Sequence, residues 1–101
     1  MEHAGIDFGS LDAFRSGVIL GSGIGGLNEF ESQHTRLVTM GPQRVSPLTI
    51  PKLMLNAGGS NLSIRFGLRG VNYSIAAACA SATNAMGDAY QVIQNGGAEI
   101  I

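Results

Sequence analysis

Cys79 is the residue of this sequence with the most distinct chemical potential. It follows the apolar run 73–78 and precedes Ala-Ser-Ala at the start of a predicted helix. At that position the unpaired N–H groups and the positive end of the helix favour a thiolate, which is a nucleophile. Small neighbours leave room for a substrate carbonyl, and the N–H of Cys79 can donate to the oxyanion formed on attack. The alternative is a small buried hydrophobe, which is the commoner role of a lone cysteine among alanines.

A glycine-rich turn is the second motif that could bind a ligand. Gly21, Gly23 and Gly26 match Gly-x-Gly-x-x-Gly after a strand-like run, and in a dinucleotide site such glycines let a pyrophosphate approach the next helix. About 20 residues on, where an acidic ribose ligand is expected, residues 41–44 read Gly-Pro-Gln-Arg without a strand pattern. Because the chain has 15 glycines, the match is weak evidence. The sequence therefore favours a tight strand-to-helix junction over nicotinamide binding.

Hydrophobic periodicity predicts the elements that position these motifs. The predicted elements begin with a strand over 18–20, followed by a helix that runs from residue 27 to a stop at Gly41-Pro42. A second helix contains residues 53–64. A strand over 71–78, a helix from residue 80 and a last strand over 98–101 follow. This order, strand-helix-helix-strand-helix-strand, indicates an α/β fold with a largely buried sheet. The Gly58-Gly59 pair is costly inside a helix and indicates the close approach of another backbone.

Composition indicates a chain whose surface is partly covered by other protein. Charged residues make up 13% of the 101 residues and hydrophobic residues 45%, whereas an ordinary domain has about 25% charged residues. The net charge of −1, without a run of like charges, argues against nucleic-acid or membrane-surface binding. A single cysteine excludes a disulfide framework. The sequence has no apolar stretch of 18 residues, so no membrane-spanning helix is indicated. Residues 1–3 do not have the pattern that begins a signal peptide. We expect a soluble, cytoplasmic protein without metal or cofactor.

Four stretches together resemble one enzyme family, the β-ketoacyl-acyl carrier protein synthases, with synthase II as the most similar type. In chain order they are 21–27 (GSGIGGL), 41–47 (GPQRVSP), 66–70 (FGLRG) and 73–82 (YSIAAACASA). The resemblance covers about residues 17–101 and implies a partial thiolase-like layered α/β fold, with residues 1–101 forming part of the N-terminal domain. Thiolases also have a cysteine at a strand-to-helix turn, but the stretch 21–27 favours the synthases.

The resemblance implies a catalytic role for Cys79 and a set of partners. In the family this cysteine takes an acyl group from acyl carrier protein, and decarboxylation of malonyl-acyl carrier protein then yields the carbanion that extends the chain by two carbons. Phe30 falls near a position that lines the acyl pocket, so it is a candidate substrate-binding residue, with ordinary helix packing as the alternative. The family also implies a homodimer in which the strand over 71–77 pairs with its twin.

The decarboxylation machinery of the family has no counterpart in this sequence. It uses two histidines and a lysine well C-terminal to the cysteine, whereas this chain ends at residue 101. His3, His34 and Lys52 do not match those positions, and we assign none of them a catalytic role. We expect an internal fragment of a synthase that cannot run the full condensation by itself. The alternative is a truncated, non-catalytic remnant that acts only as an interaction or assembly module.

Overall fold

Two short parallel strands form the centre of the fold in the computed structural model, which describes residues 5–101. β1 (Val18–Gly21) pairs with β2 (Asn72–Ile75), and Val18 lies opposite Asn72. The helices are α1 (Leu27–Met40), α2 (Thr49–Leu53) and α3 (Ala57–Phe66) between the strands, and α4 (Ser81–Gln94) after β2. The predicted order of strands and helices up to residue 94 is confirmed, except that the second predicted helix is divided into α2 and α3.

Successive residues of β1 face opposite layers, because side chains alternate along a strand. Leu20 faces α3, where a Cβ added to Gly58 would lie 2.8 Å from Leu20 Cδ2. Gly21 faces the other way, against the backbone of Ser81 at the start of α4. The sheet is therefore sandwiched between α3 and α4, which gives the layered α/β architecture expected from the sequence.

The last predicted strand, over 98–101, is reduced to a single contact. Ile100 forms one parallel bridge with Ser16. The Gly17 N–H donates to the Ile100 carbonyl over 2.9 Å, and the next N–H, that of Val18, donates toward β2. Because consecutive N–H groups of a strand point to opposite sides, Ile100 lies on the side of β1 away from β2.

The second predicted helix is wrong in one respect, because the chain bends between Leu53 and Ala57. The paired glycines Gly58-Gly59 lie in the first turn of α3, not in a helix interior. The close approach expected there is to side chains, not to a backbone: a Cβ on Gly58 would meet Leu20, and one on Gly59 would lie 3.0 Å from Asn72 Oδ1. The glycines therefore let α3 lie close to the sheet.

Many large hydrophobic side chains are exposed in the described part of the chain. The fully buried hydrophobic residues are Ala85 and Ala98, whereas Val38, Ile64 and Met86 are 66–80% exposed on three different helices. The strands are only half-buried, so the largely buried sheet predicted from the sequence is not seen in this chain alone. The radius of gyration is 16.6 Å, against roughly 13 Å for a compact 100-residue domain. These features support the expectation that other protein covers this surface.

Candidate active site

The turn that carries Cys79 has an unusual backbone conformation. Ala78 has a φ of +46° and is the only residue other than glycine with a positive φ in the range 5–101. Such a conformation costs an alanine on the order of 1–3 kcal/mol and is concentrated at functional sites. It reverses the chain sharply between β2 and α4, so that Cys79 lies at the tip of the turn. Cys79 is a free, exposed thiol, and the burial expected of a simple hydrophobe is not found.

The Ser81 side chain closes this turn from the inside. Its hydroxyl accepts a hydrogen bond from the Ala77 N–H over 2.9 Å and donates one to the Ala78 carbonyl over 2.7 Å. The Ser81 N–H donates to the same Ala78 carbonyl. Ser81 is 4% exposed, so water competes little for these bonds. Three hydrogen bonds therefore hold the residues that precede Cys79.

The glycine loop, residues 21–26, lies beside the Cys79 turn. A Cβ on Gly21 would lie 2.4 Å from the Ser81 carbonyl oxygen, and a Cβ on Gly23 would lie 3.9 Å from the Ala78 carbonyl oxygen. The Ser22 N–H donates to the Ile75 carbonyl over 3.0 Å, which joins the two loops where the parallel strands end. The carboxyl edge of a parallel sheet is where α/β proteins bind ligands. The structure therefore brings both sequence motifs to one edge.

Internal contacts of the loop account for its glycines. The Gly26 N–H donates to the Leu53 carbonyl over 3.0 Å, and a Cβ on Gly26 would lie 2.4 Å from the Lys52 carbonyl oxygen. The Gly25 N–H points to Ser22 Oγ at 3.3 Å, and Gly25 itself has a φ of +80°. Two N–H groups of the kind that cradle a pyrophosphate are thus used within the protein. The predicted tight strand-to-helix junction is confirmed.

Phe30 lies one turn into α1, in a small apolar pocket separate from the Cys79 turn. Its ring stacks on that of His34 with centroids 6.4 Å apart, and it is 52% exposed. The pocket has a volume of about 160 Å³, and Leu37 and Val45 also line it. Among the described residues the lining does not include Cys79, so the chain by itself does not join the two candidate site residues in one cavity.

The other polar residues near the glycine loop have structural contacts. Lys52 lies 3.8 Å from Glu29, and Gln33 donates to Glu29 over 2.9 Å while accepting from the Ser46 N–H over 2.9 Å. These contacts fasten α1 to the segment that follows it. Within residues 5–101 no cluster of three metal-ligating side chains is found. His3 lies outside the described residues.

Cys79 is exposed next to a turn that the hydrogen bonds of Ser81 hold in place. The printed sequence predicts the cysteine and its place between strand and helix, but it does not reveal the conformation of Ala78 or the role of Ser81. Ala has no preference for a positive φ, so no local pattern indicates this turn. The sequence signal for the role of Ser81 was a serine at a helix start, two residues after the cysteine. Side chains of Ser, Thr, Asp and Asn commonly form hydrogen bonds with backbone groups at such positions.

No helix of the described segment is long and apolar enough to cross a membrane.

Comparison with proteins of known sequence and structure places the whole chain in one family. A family model for the beta-ketoacyl synthase N-terminal domain matches residues 1–101. The 3-oxoacyl-[acyl-carrier-protein] synthase 2 of Staphylococcus aureus is 39% identical over 98% of this chain, and that of Vibrio harveyi is 41% identical over the same share. The chain spans about a quarter of the length of these relatives, 25% and 24% respectively.

A solved structure supports the same assignment. It contains a type II PKS acyl-carrier protein in complex with its ketosynthase bound to the hexaketide, and it matches this chain with a TM-score of 0.85 at 25% identity. The match covers 92% of this chain and 27% of that one. The likeness confirms the predicted partial thiolase-like α/β fold, and the matches in sequence confirm the resemblance to synthase II. The chain belongs to the β-ketoacyl synthase family and is similar to part of its N-terminal domain.

Proposed function

We propose that this chain carries the nucleophile of a β-ketoacyl-acyl carrier protein synthase and that Cys79 is its acyl acceptor. The observation that carries the proposal is the exposed Cys79 thiol, which directly follows the positive-φ residue Ala78 between a strand end and a helix start. A strained turn of this kind is how α/β enzymes present a nucleophile. The glycine loop beside it forms the other wall of the site.

The first half of the proposed reaction needs only this turn. The Cys79 thiolate attacks the carbonyl carbon of an acyl thioester, and the electron pair of the carbonyl moves onto oxygen. The Cys79 N–H donates to that oxyanion. The bond from carbon to the carrier's sulfur then breaks, the carrier thiolate takes a proton from water, and an acyl-cysteine thioester remains.

The second half is the condensation for which the matched relatives are named. Malonyl-acyl carrier protein loses carbon dioxide, and the resulting carbanion attacks the acyl-cysteine carbon, which releases the Cys79 thiolate and a 3-oxoacyl product. We assign no residue of this chain to the decarboxylation, since His34 and Lys52 already have structural contacts on α1 and α2. The isolated chain is therefore expected to stop at acyl-Cys79, and 3-oxoacyl product from the purified chain would contradict this.

Acyl carrier protein, bearing acyl and malonyl groups, is the proposed partner. The proposal is supported by the names of the relatives and by the solved ketosynthase, which is in complex with an acyl-carrier protein. We place the reaction in the cytoplasm, as expected from the sequence. Phe30 is proposed to line the acyl pocket and to restrict chain length, and its half-exposed ring leaves apolar surface for an acyl chain.

A homodimer through residues 71–77 is part of the proposal. β2 pairs with β1 along one edge, and in the part of the chain that the structure describes no strand pairs with its other edge. An open edge of this kind invites another strand, and a twin strand related by a two-fold axis satisfies it symmetrically. Tyr73, 36% exposed on this strand, would be covered by such pairing.

Alkylation of Cys79 tests the central proposal. The chain is treated with iodoacetamide at neutral pH and analysed by mass spectrometry, with glutathione as the reference thiol and Cys79→Ser as the control variant. A Cys79 that serves as the acyl acceptor is alkylated faster than glutathione and also accepts an acyl group from a soluble acyl thioester. A folded chain whose Cys79 does neither would contradict the proposal and favour the non-catalytic interaction module.

A further inference from the structure

The Ser81 hydroxyl holds the peptide group between Ala78 and Cys79. The orientation of this peptide group sets the direction in which the Cys79 N–H points. The Ala78 carbonyl and the Cys79 N–H belong to the same peptide plane, and in a trans peptide they point in opposite directions. The Ala78 carbonyl receives hydrogen bonds from both the hydroxyl and the N–H of Ser81. The Cys79 N–H is therefore directed away from the start of α4.

The Cys79 N–H has no competing acceptor among residues 5–101. The hydrogen bonds found among residues 5–101 do not include one from this N–H, whereas the next one along, that of Ala80, donates to the Ala77 carbonyl over 2.9 Å. A donor that is fixed in direction and not engaged within the protein can stabilise a charge that appears only during reaction. The value of the donor depends on its direction, and that direction depends on the Ala78 peptide.

We infer that Ser81 is a positioning residue for acyl transfer, because its hydroxyl clamps Ala77 and Ala78 and thereby aims the Cys79 N–H at the oxyanion. The inference rests on the proposed role of Cys79 as acyl acceptor. Without the hydroxyl, the Ala77 N–H loses its acceptor and the Ala78 carbonyl loses one of its two hydrogen bonds. Ala78 can then relax to an ordinary negative φ, which rotates the Cys79 peptide but leaves the thiol exposed.

Two reactions of the same sulfur separate positioning from simple support of the fold. Acylation by the octanoyl thioester of N-acetylcysteamine places negative charge on a carbonyl oxygen and needs the N–H donor. Alkylation by iodoacetamide displaces iodide from a methylene carbon and creates no oxyanion on a carbonyl. The ratio of the two rates at Cys79, each followed by mass spectrometry in the full chain, therefore reports on the donor alone.

Ser81→Ala is expected to lower acylation by at least about tenfold, which is less than the roughly 100- to 1,000-fold that complete removal of an oxyanion donor costs, because the donor is turned and not removed. Alkylation is expected to stay unchanged. Ser63→Ala is the matched control, since Ser63 is also a buried serine but bonds Asn72 on the α3 side of the sheet. It is expected to leave the ratio of the two rates unchanged.

The inference is overturned if Ser81→Ala keeps the wild-type ratio of the acylation rate to the alkylation rate, either because neither rate changes or because both fall by the same factor. Should this variant lose its helical circular dichroism, Ser81→Thr and Ser81→Val decide the question, because they differ only in a hydroxyl against a methyl group. Thr must then restore the ratio and Val must not. A wild-type chain that neither acylates nor alkylates refutes the role of Cys79 itself, an outcome distinct from failure of the Ser81 inference.

Discussion

Replacement of Gly21 by alanine tests whether contact between the end of β1 and the start of α4 sets the Cys79 turn. A Cβ at Gly21 would lie 2.4 Å from the Ser81 carbonyl oxygen and 2.7 Å from the Ala82 nitrogen. Both are backbone atoms, so no side chain can rotate away. An unstrained contact needs about 3.5 Å, and β1 and α4 must therefore separate by roughly 1 Å.

The expected cost follows from two opposing contributions. Overpacking of this size costs about 1–3 kcal/mol, while replacing a strand glycine by alanine recovers about 0.5–1 kcal/mol of backbone entropy. Gly21→Ala should therefore lower the free energy of unfolding by a net amount of about 1–2 kcal/mol. A shift of this size at the turn should also slow acylation of Cys79 by up to about 100-fold.

Gly87→Ala is the matched control, because Gly87 lies within α4 and a Cβ there meets nothing within 4 Å. This variant should gain about 0.5–1 kcal/mol without slowing acylation. Urea unfolding followed by circular dichroism measures both stabilities, and mass spectrometry measures acyl-Cys79. If Gly21→Ala is as stable as Gly87→Ala and acylates at the wild-type rate, the contact does not set the turn.

Three further predictions concern the surroundings of the site. Gln33→Ala should destabilise the fold by about 1 kcal/mol, because the part-buried Ser46 N–H loses its acceptor, and urea unfolding that matches wild type would exclude this. Partial desolvation, followed by the hydrogen-bonded Asp88 carboxylate, raises the pKa of Tyr73 above its ordinary value of 10.0. The protonated Tyr73 therefore stabilises the fold below pH 10.0, and this stabilisation is lost as the pH rises through the raised pKa. Asp88→Asn should lower that pKa in an ultraviolet difference titration that uses Tyr73→Phe as the reference. The ion pair of Arg15 with Glu99 spans 2.8 Å but is exposed, so Glu99→Gln should lower the free energy of unfolding by less than about 1 kcal/mol, and this difference should disappear in high salt. A large, salt-independent loss of stability would show that more than charge is involved.

Much of the fold could be predicted from local patterns. Periodicity located α1 and α4, and Gly41 and the glycines after residue 95 marked their ends, because helix stops depend on local backbone freedom. The position of Cys79 between strand and helix was predicted in the same way. The split of the second helix between Leu53 and Ala57 was missed, since a helical pattern of apolar residues continues across the bend.

The apolar face of α1 illustrates a second limit of local patterns. The sequence places Leu27, Leu37 and Val38 on a stripe that would normally pack inward, but in the structure all three are at least 45% exposed. Gln33, a polar residue of the same helix, is instead 7% exposed and accepts a hydrogen bond from the segment after the helix. The period of a helix predicts that one face is buried, but not whether the chain itself supplies what covers it.

The sequence by itself determined the nucleophile candidate, its place at a strand-to-helix junction and the family motifs around it, since each of these depends on residue type and order. Only the tertiary structure decided how the cysteine is presented. Ala78 has a φ of +46° in the short connection between β2 and α4, and both of these elements pack against β1. The contact of Gly21 with α4 and the hydrogen bonds of Ser81 arise from that same packing, which joins residues far apart in the chain.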